Sequence, residues 1–384
     1  MTRLQNTCRL FCKNQTRTDW LFYTTALGLL AGILITLPSW ATTRTYPLVP
    51  VITDFALPQI VHTVVLTLLI TALTYGVMHR KYRAHAIGIA LSCLIVLSLL
   101  DITRFHPWVF HYFGILLLFS GLLKHTAHEQ ILDAARIIVG GIYFWSGIQK
   151  INPHFFTSVF PWFTQPFWEN QPEFVFLALV SLGLFVPLIE ICFAIGLFSR
   201  KFRLVSILGS TAMILLVLAA LGPLGHNWNS SVWPWNIAIF LMVVVLFYKT
   251  TFTLPEFFTR LKKNYVAWGM VFIFWLLPVG NNFGLVDDYL AWSLYSGTVA
   301  EATLIGDQLI LETLSPLAEN NQLIFQQWSI ESMNQAPYPE PRVFFSIFAT
   351  VCTQFNDDPS LQLKITAPEN TWQLERQTKT FTCQ

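Results

Sequence analysis

Long apolar runs separated by short polar turns fill the chain up to about residue 280. A helix needs about 20 consecutive, mostly apolar residues to cross a bilayer. Nine stretches approach this length, although the third, the fourth and the last are short and are expected to be tilted or partly re-entrant. The pattern predicts transmembrane helices at residues 20–37, 58–78, 86–101, 108–123, 132–149, 173–198, 204–222, 233–248 and 265–280.

The segment 281–384 has a different pattern, in which polar turn sequences separate short apolar stretches. RVFFSIFATVCTQF (342–355) fits either a helix or a buried strand, and the flanking sequences YPEP and NDDP favour the helix. LQLKI (361–365) and TWQLERQTKTFTC (371–383) alternate between apolar and polar positions and therefore predict strands. We expect a small α+β domain after the membrane helices.

The composition supports this division. Of the 384 residues, 54% are hydrophobic and only 11% are charged, whereas soluble proteins carry about 25% charged residues. The chain is therefore predicted to be an integral membrane protein whose main partner is the lipid bilayer. Because the formal net charge is only +2 and there is no basic tract, no nucleic-acid partner is expected.

The positions of lysine and arginine predict the orientation. With the N-terminus in the cytoplasm, the cytoplasmic segments contain fifteen of these residues and the short outer loops only three. Positive charge accumulates on the cytoplasmic side of membrane proteins. We therefore expect an all-α polytopic membrane domain (1–280) with a cytoplasmic N-terminus, followed by an extracytoplasmic α+β domain (281–384). In an oxidising compartment, Cys352 and Cys383 of that domain can form a disulfide.

Lys150 is the first candidate for chemistry. Thirteen uncharged residues separate it from Arg136, so it lies at or just inside the outer end of the fifth predicted helix. A lysine in this position commonly extends its ammonium group to the lipid headgroups. The alternative is an amine that is partly desolvated among aromatic side chains and can act as a base.

Further charges fall inside predicted membrane helices, among them Asp133 in the cytoplasmic half of the fifth helix. Arg136 and Glu190 lie in the cytoplasmic halves of the fifth and sixth helices. These helices are consecutive and antiparallel, so the two side chains are expected to meet as a buried ion pair that fixes helix packing. A proton path or a site for an anionic ligand is the alternative, because intramembrane charges are costly and often functional.

Two outer loops add polar and aromatic residues. GPLGHNWNSSVWPWN (222–236) combines one histidine, three asparagines and three tryptophans, which fits either a pocket rim or a plain interfacial loop. The loop after Lys150 contains His154 and several aromatic–proline pairs. It is expected to lie flat on the membrane surface or to cover an apolar ligand.

Two stretches resemble known families. RIIVGGIYFWSGIQKINPHFF (136–156) resembles a helix shared by DoxX-like proteins and the HTTM domain of vitamin K-dependent γ-carboxylase. PLIEICFAIGLFSRKFR (187–203) resembles the next DoxX-type helix, including its intramembrane glutamate. The DoxX-like match covers about residues 132–250, and the HTTM-type architecture of a helix bundle plus an extracytoplasmic domain covers most of the chain.

The carboxylase resemblance implies a role for Lys150 as the base that deprotonates a vitamin K-like quinol cofactor at the outer membrane face. It implies an enzyme of a bacterial inner membrane with an extracytoplasmic peptide or small-molecule substrate. The alternatives are a DoxX-like quinone-linked oxidoreductase subunit with a redox partner, and a non-enzymatic scaffold or transport component. Residues expected to contact the cofactor are Tyr143, Trp145, His154, His226, Asn227, Trp228, Asn229, Trp233 and Asn236.

Overall fold

The computed structural model describes residues 3–52, 57–123, 127–368 and 375–383, with side chains from residue 15 onwards. The helices, named α1 to α16, are in chain order Arg3–Ile35, Leu37–Ala41, Gln59–Met78, Arg83–Leu100, Pro107–Leu117, His128–Gln149, Phe160–Trp168, Glu173–Gly183, Val186–Gly196, Arg203–Leu221, Val232–Phe247, Leu254–Leu261, Tyr265–Val271, Gln308–Leu314, Phe325–Met333 and Pro341–Gln354. Within the described residues, the strands β1 to β4 are Glu301–Ile305, Gln322–Ile324, Gln362–Pro368 and Arg376–Thr382.

Each predicted membrane segment contains at least one helix. In the described part of the chain, six helices are long and apolar enough to cross a membrane, and the bent pair α8 and α9 adds a seventh if it forms one crossing. α5 and α11 are also apolar but shorter, with 11 and 16 residues. The structure thus indicates a multi-pass membrane protein, while nine complete crossings remain a prediction.

The predicted span 173–198 is interrupted in its middle. α8 ends at Gly183 and α9 begins at Val186, with Pro187 as its second residue. Proline lacks an N–H donor and its ring clashes with the preceding turn of a continuous helix. The axes of α8 and α9 differ by 45°, so α9 is a short helix of its own rather than the second half of a straight span.

The last membrane segment is also irregular. α13 continues into a π-helical turn at Phe272–Leu276 and then a 3₁₀ turn at Leu277–Phe283. Trp275 in the π turn donates its indole N–H to the carbonyl of Ile137 (2.8 Å) and accepts from the indole of Trp145 (3.0 Å). This turn therefore joins the segment to α6.

α6 is the central helix of the bundle and packs against α1, α5, α9, α11 and α13. Small residues let its neighbours approach closely, as is common in membrane helices. A Cβ atom at Gly141 would lie 2.5 Å from the carbonyl oxygen of Phe274, and one at Gly140 would lie 2.7 Å from the ring of Phe198. The backbone of α6 thus touches its neighbours directly.

The C-terminal region forms an antiparallel sheet in the order β2-β1-β3-β4. The predicted helix at 342–355 is confirmed as α16, which buries Phe344, Ile347 and Val351. The predicted strand 361–365 overlaps β3, and 371–383 contains β4, although residues 371–374 lie outside the described part.

Cys352 and Cys383 form the expected disulfide, which joins α16 to the chain after β4. This covalent link spans 31 residues of sequence. It therefore restrains both the last helix and the last strand of the C-terminal region.

The C-terminal region rests on a loop of the helical bundle. Its buried apolar residues form a cluster that also includes Tyr46 and Val49 from the loop after α2. The indole of Trp328 donates to the hydroxyl of Thr45 (3.0 Å), and the amide of Gln335 donates to the hydroxyl of Ser39 (3.1 Å). The C-terminal region and the bundle therefore share a specific polar and apolar contact.

Candidate functional site: an ion pair in an apolar cavity

The side chain of Lys150 is mostly buried and hydrogen-bonded inside the bundle. Its ammonium nitrogen donates to both carboxylate oxygens of Glu190, at 2.7 and 2.8 Å, and to the hydroxyl of Ser146 one turn earlier, at 2.8 Å. The two charged side chains are only 13% and 8% exposed. The three N–H donors of the ammonium therefore match three acceptor oxygens.

The predicted pair between Arg136 and Glu190 is wrong. Arg136 instead donates to Asp133 (2.6 Å) and Glu129 (2.7 Å) on its own helix, and to the carbonyl of Leu246 (3.1 Å). The break between α8 and α9 explains the difference. Because α9 begins only at residue 186, Glu190 lies near the N-terminal end of a short helix and next to the C-terminal end of α6.

Gly147 allows Glu190 to reach Lys150. A Cβ atom at Gly147 would lie 2.7 Å from the carbonyl oxygen of Pro187 and 3.2 Å from the Cβ of Glu190. Only glycine leaves room for this direct contact between the backbones of α6 and α9. The glycine three residues before the lysine is thus a geometric requirement of the ion pair.

The ion pair lines a cavity of about 240 Å³. Its walls come from the start of α5, from α6, the segment 155–163, α9, α10 and α11, and from residues 292–295 of the connector 284–297 that follows the last membrane segment. Apolar and aromatic side chains predominate, and the polar lining side chains besides the pair include Tyr143, Ser146 and Asn236. Ile189 and Leu216 line the side between α9 and α10 and are about two-fifths exposed on the bundle surface (40% and 42%). The cavity therefore borders the apolar outer surface of the bundle.

Two buried polar groups in the cavity lining are left without a hydrogen bond. Among the described residues, neither the hydroxyl of Tyr143 nor the indole N–H of Trp292 has a partner at normal length and angle, although Ser210 lies beside Tyr143. An unpaired buried polar group costs roughly 1–3 kcal/mol. Such groups are available to a ligand with polar atoms.

Residues 292–295 of the connector form one wall of the cavity, which we call its roof. The backbone of this segment is unusual. Trp292 and Tyr295 both line the cavity and both have positive φ, 66° and 58°. Bulky residues rarely adopt this conformation, because it crowds the side chain against the backbone. Asn229 donates to the hydroxyl of Tyr295 (2.9 Å), and Trp162 stacks against its ring. Tyr295 is therefore fixed both by a hydrogen bond to its hydroxyl and by stacking on its ring.

The predicted site residues fall into two groups. Lys150, Tyr143 and Asn236 line the cavity together with Glu190, and Asn229 supports it through Tyr295. The remaining predicted contacts do not line it and are Trp145, His154, His226, Asn227, Trp228 and Trp233.

Those remaining residues have other contacts. Trp145 and Trp233 donate to the backbone carbonyls of Trp275 and Leu221. His226 lies 2.7 Å from the carbonyl of Trp162, and His154 contacts Arg376. These interactions tie loops and helices together behind or beside the cavity.

Asn227 and Trp228 line a separate surface groove of about 590 Å³ between the outer loop and the C-terminal region. Trp228 also contacts Trp162, which stacks on the roof residue Tyr295. The groove and the cavity are therefore separate spaces with adjoining aromatic walls.

Several lining residues were not predicted from the sequence. Trp235 belongs to the loop sequence 222–236, but the sequence does not distinguish its role from those of the other tryptophans there. Trp292 and Tyr295 carry no recognisable motif, and their importance follows from a turn that brings the connector back over α6.

The chain has no detectable similarity to known families or structures. No family model matches this chain, and neither the curated proteins nor the solved structures contain a significant match. The geometry of the cavity and the sequences around Lys150 and Glu190 are therefore the observations that bear on function.

Proposed function

We propose that this protein is an integral membrane enzyme that binds a quinol-type cofactor in the cavity, with Lys150 as the base toward a hydroxyl group. The main support is the Lys150–Glu190 pair, a titratable dyad that faces an otherwise mostly apolar cavity. Ionisable groups within membrane segments are typical of proton-transfer and ligand sites. The resemblance of the Lys150 motif to the carboxylase helix agrees with this assignment.

The lining chemistry fits a flat aromatic ligand with polar edges. The rings of Phe163, Trp235 and Tyr295 offer stacking and edge contacts. The indole N–H of Trp292, and the hydroxyl of Tyr143 beside Ser210, would meet polar atoms of the ligand. The lipid-facing side between α9 and α10 would accommodate an apolar tail.

The ion pair supports a proton transfer in two steps. An amine accepts a proton only when it is neutral, whereas Lys150 in the ion pair is an ammonium. Transfer of one proton from Nζ to a carboxylate oxygen of Glu190, 2.7 Å away, leaves a neutral amine and a neutral carboxylic acid. A cavity of low polarity reduces the cost of such a neutral pair relative to two charges. The Lys150 amine then takes the proton of a bound hydroxyl, while Glu190 retains the other proton.

When bound, a quinol supplies the redox chemistry. The residues of this chain bind and orient its ring, exclude water from it and accept its proton at Nζ of Lys150. A peptide or small molecule on the extracytoplasmic side is the proposed substrate class.

We infer that the N-terminus is cytoplasmic and that the C-terminal domain is periplasmic in a bacterial inner membrane. The excess of lysine and arginine in the segments assigned to the cytoplasm supports this orientation. The disulfide between Cys352 and Cys383 supports it independently, because disulfides persist mainly in oxidising compartments.

A DoxX-like redox subunit is the second candidate function. The polar surface groove favours it, because Asn227, Gln322 and Glu331 present hydrogen-bonding groups where a partner protein could dock. In that case the same cavity would exchange a quinone with the membrane, and the partner would provide the other redox centre.

Oxidation of a short-chain naphthoquinol by the purified protein in lipid nanodiscs tests the proposal. The wild type should accelerate quinol oxidation in air, and Lys150→Ala should reduce this rate at least about tenfold. Lys150→Arg should be equally impaired, because a guanidinium remains charged. Lys201→Ala changes an exposed lysine outside the cavity and serves as the control. Equal rates in all four proteins would favour a scaffold role instead.

A further inference from the structure

Three carboxylates meet where the connector from the last membrane segment contacts the C-terminal region. Asp287 and Asp288 belong to the connector, and Glu340 precedes the first residue of α16. Arg342 donates to Asp287 (2.9 Å) and lies 3.4 Å from Glu340. Tyr338 donates its hydroxyl to Asp287 (2.7 Å). In the described structure Arg342 is the cation that pairs with Asp287 and Glu340, whereas Asp288 accepts from the amide of Asn281. The junction therefore carries excess negative charge when all three acids are ionised.

Two of these acids bind protons more tightly than usual. Burial raises the pKa of Asp288 to about 6, and the neighbouring charge of Asp287 adds to the effect while the amide of Asn281 opposes it. Burial likewise raises the pKa of Glu340 to about 7, with further contributions from Asp287 and Asp288. The backbone N–H of Asp288 and the guanidinium of Arg342 only partly offset these effects. The junction therefore exchanges protons near neutral pH.

The junction is connected to the cavity by a short series of hydrogen bonds. Asn281 donates its amide to Asp288 (2.9 Å) and accepts from the amide of Gln149 (3.2 Å), the residue directly before Lys150. Gln149 also donates to the carbonyl of Ala291 (3.3 Å). Ala291 directly precedes Trp292, the first roof residue. Asp288 is thus joined by hydrogen bonds to the segment that lines the cavity.

The roof depends on such anchors because its backbone is strained. Trp292 and Tyr295 hold positive φ angles, and conformations of this kind persist only where surrounding contacts enforce them. Gly297 also has a positive φ, and a Cβ atom added there would lie 3.1 Å from the backbone nitrogen of Phe155. The absence of a side chain at Gly297 therefore lets the connector lie close to Phe155. Loss of the anchor at Asp288 and Glu340 should therefore loosen the whole connector.

We propose that Asp287, Asp288 and Glu340 form a proton-controlled latch on the roof of the cavity. With Asp288 and Glu340 neutral, the remaining charge of Asp287 is balanced by Arg342, and the backbone N–H of Asp288 bonds Glu340 at 2.9 Å. With both ionised, three neighbouring negative charges share one partly exposed guanidinium, and repulsion weakens the contact between connector and α16. The roof is then released, and the cavity opens on the side of the connector in addition to its side between α9 and α10.

The direction of the pH dependence follows from the linkage between proton binding and folding. An acid whose pKa is raised in the folded state contributes stability at low pH and loses it as the pH rises through its folded value. For this junction the loss runs from about pH 4 to about pH 7, the interval between ordinary carboxylate values and the raised ones. The latch is closed in acid and open above neutral pH.

Hydrogen–deuterium exchange of the full-length protein in nanodiscs tests this latch without any ligand. After correction for intrinsic exchange rates, amides of residues 284–297 should be at least about tenfold less protected at about pH 8 than at about pH 5. Amides of β1 should change by less than about twofold, since β1 lies inside the sheet. Equal protection of residues 284–297 at the two pH values would overturn the proposal.

Neutral variants provide the second arm of the experiment. The double variant of Asp288→Asn and Glu340→Gln should keep residues 284–297 protected at both pH values. Glu312→Gln, at an exposed glutamate of α14, is the matched control and should behave like the wild type. A double variant that retains the full pH dependence would also overturn the proposal. Because the wild-type comparison is decisive alone, poor folding of the double variant would not leave the question open.

Discussion

The ammonium nitrogen of Lys150 lies 2.7 and 2.8 Å from the two carboxylate oxygens of Glu190, across the contact between α6 and α9. The two residues are 40 positions apart in sequence, and both contribute to the wall of one cavity. This relationship joins the stretches 136–156 and 187–203 into one site. It also determines which substitutions should be coupled.

Removal of one member of the pair should destabilise the protein more than removal of both. Lys150→Met or Glu190→Gln alone leaves its partner buried without full compensation and should lower the free energy of unfolding by about 3–5 kcal/mol. The double variant should recover most of this loss. Unfolding titrations in mixed detergent measure all four proteins. Additive losses in the double variant would show that the two side chains do not interact.

A methyl group at Gly147 should separate α9 from α6. Gly147→Ala would bring a Cβ atom to 2.7 Å from a backbone oxygen, and the required shift should cost about 1–3 kcal/mol. Gly269→Ala is the matched control, because a Cβ atom there meets no atom within 4 Å. That control should be neutral or stabilise by up to about 1 kcal/mol. Thermal unfolding in nanodiscs compares the two, and similar behaviour would contradict the tight contact at Gly147.

The corrected partners of Arg136 can be tested by energetic coupling. Arg136→Gln and Asp133→Asn should show an interaction energy of about 1–3 kcal/mol, since the side chains are 2.6 Å apart. Arg136→Gln and Glu190→Gln should be additive within about 0.5 kcal/mol. Denaturant titrations of the single and double variants provide both values. Strong coupling of the second pair would restore the original expectation from the sequence.

Loss of the disulfide should affect the C-terminal region. Cys352→Ser opens a link across 31 residues and should lower the unfolding free energy of this region by about 3–4 kcal/mol. Cys192→Ser is the control, because Cys192 is a free, exposed cysteine of α9. Calorimetry of protein purified from the membrane under non-reducing conditions compares them. Identical transitions would indicate reduced cysteines and would argue against an oxidising compartment.

The hydrophobic pattern predicted the helical segments because burial in lipid demands long apolar runs whatever the tertiary structure. It could not predict the break at Pro187, because a single proline is also tolerated within continuous membrane helices. Because of that break, Glu190 pairs with Lys150 and not with Arg136 as predicted. The sequence singled out Lys150, but the need for Gly147 follows from a contact with α9 that appears only in three dimensions.

Other parts of the site depended on long-range folding. The loop 222–236 was identified from its unusual composition, yet Asn236 lines the cavity, Asn229 acts through Tyr295, and His226 and Trp233 bind backbone carbonyls. Nothing in the local sequence distinguishes these roles. Trp292 and Tyr295 escaped notice because left-handed backbone conformations are not encoded by aromatic residues.

The most direct test of the proposed quinol site is the quinone content of the protein purified from its native membrane. Mass spectrometry of extracted lipids should detect about one quinone per wild-type protein. Lys150→Met and Gly147→Ala alter the ion pair, and each should contain at least about tenfold less quinone. The control Gly269→Ala should match the wild type. If the wild type contains no quinone, or if the Lys150→Met protein retains as much as the wild type, the account of this cavity as a quinol site is contradicted.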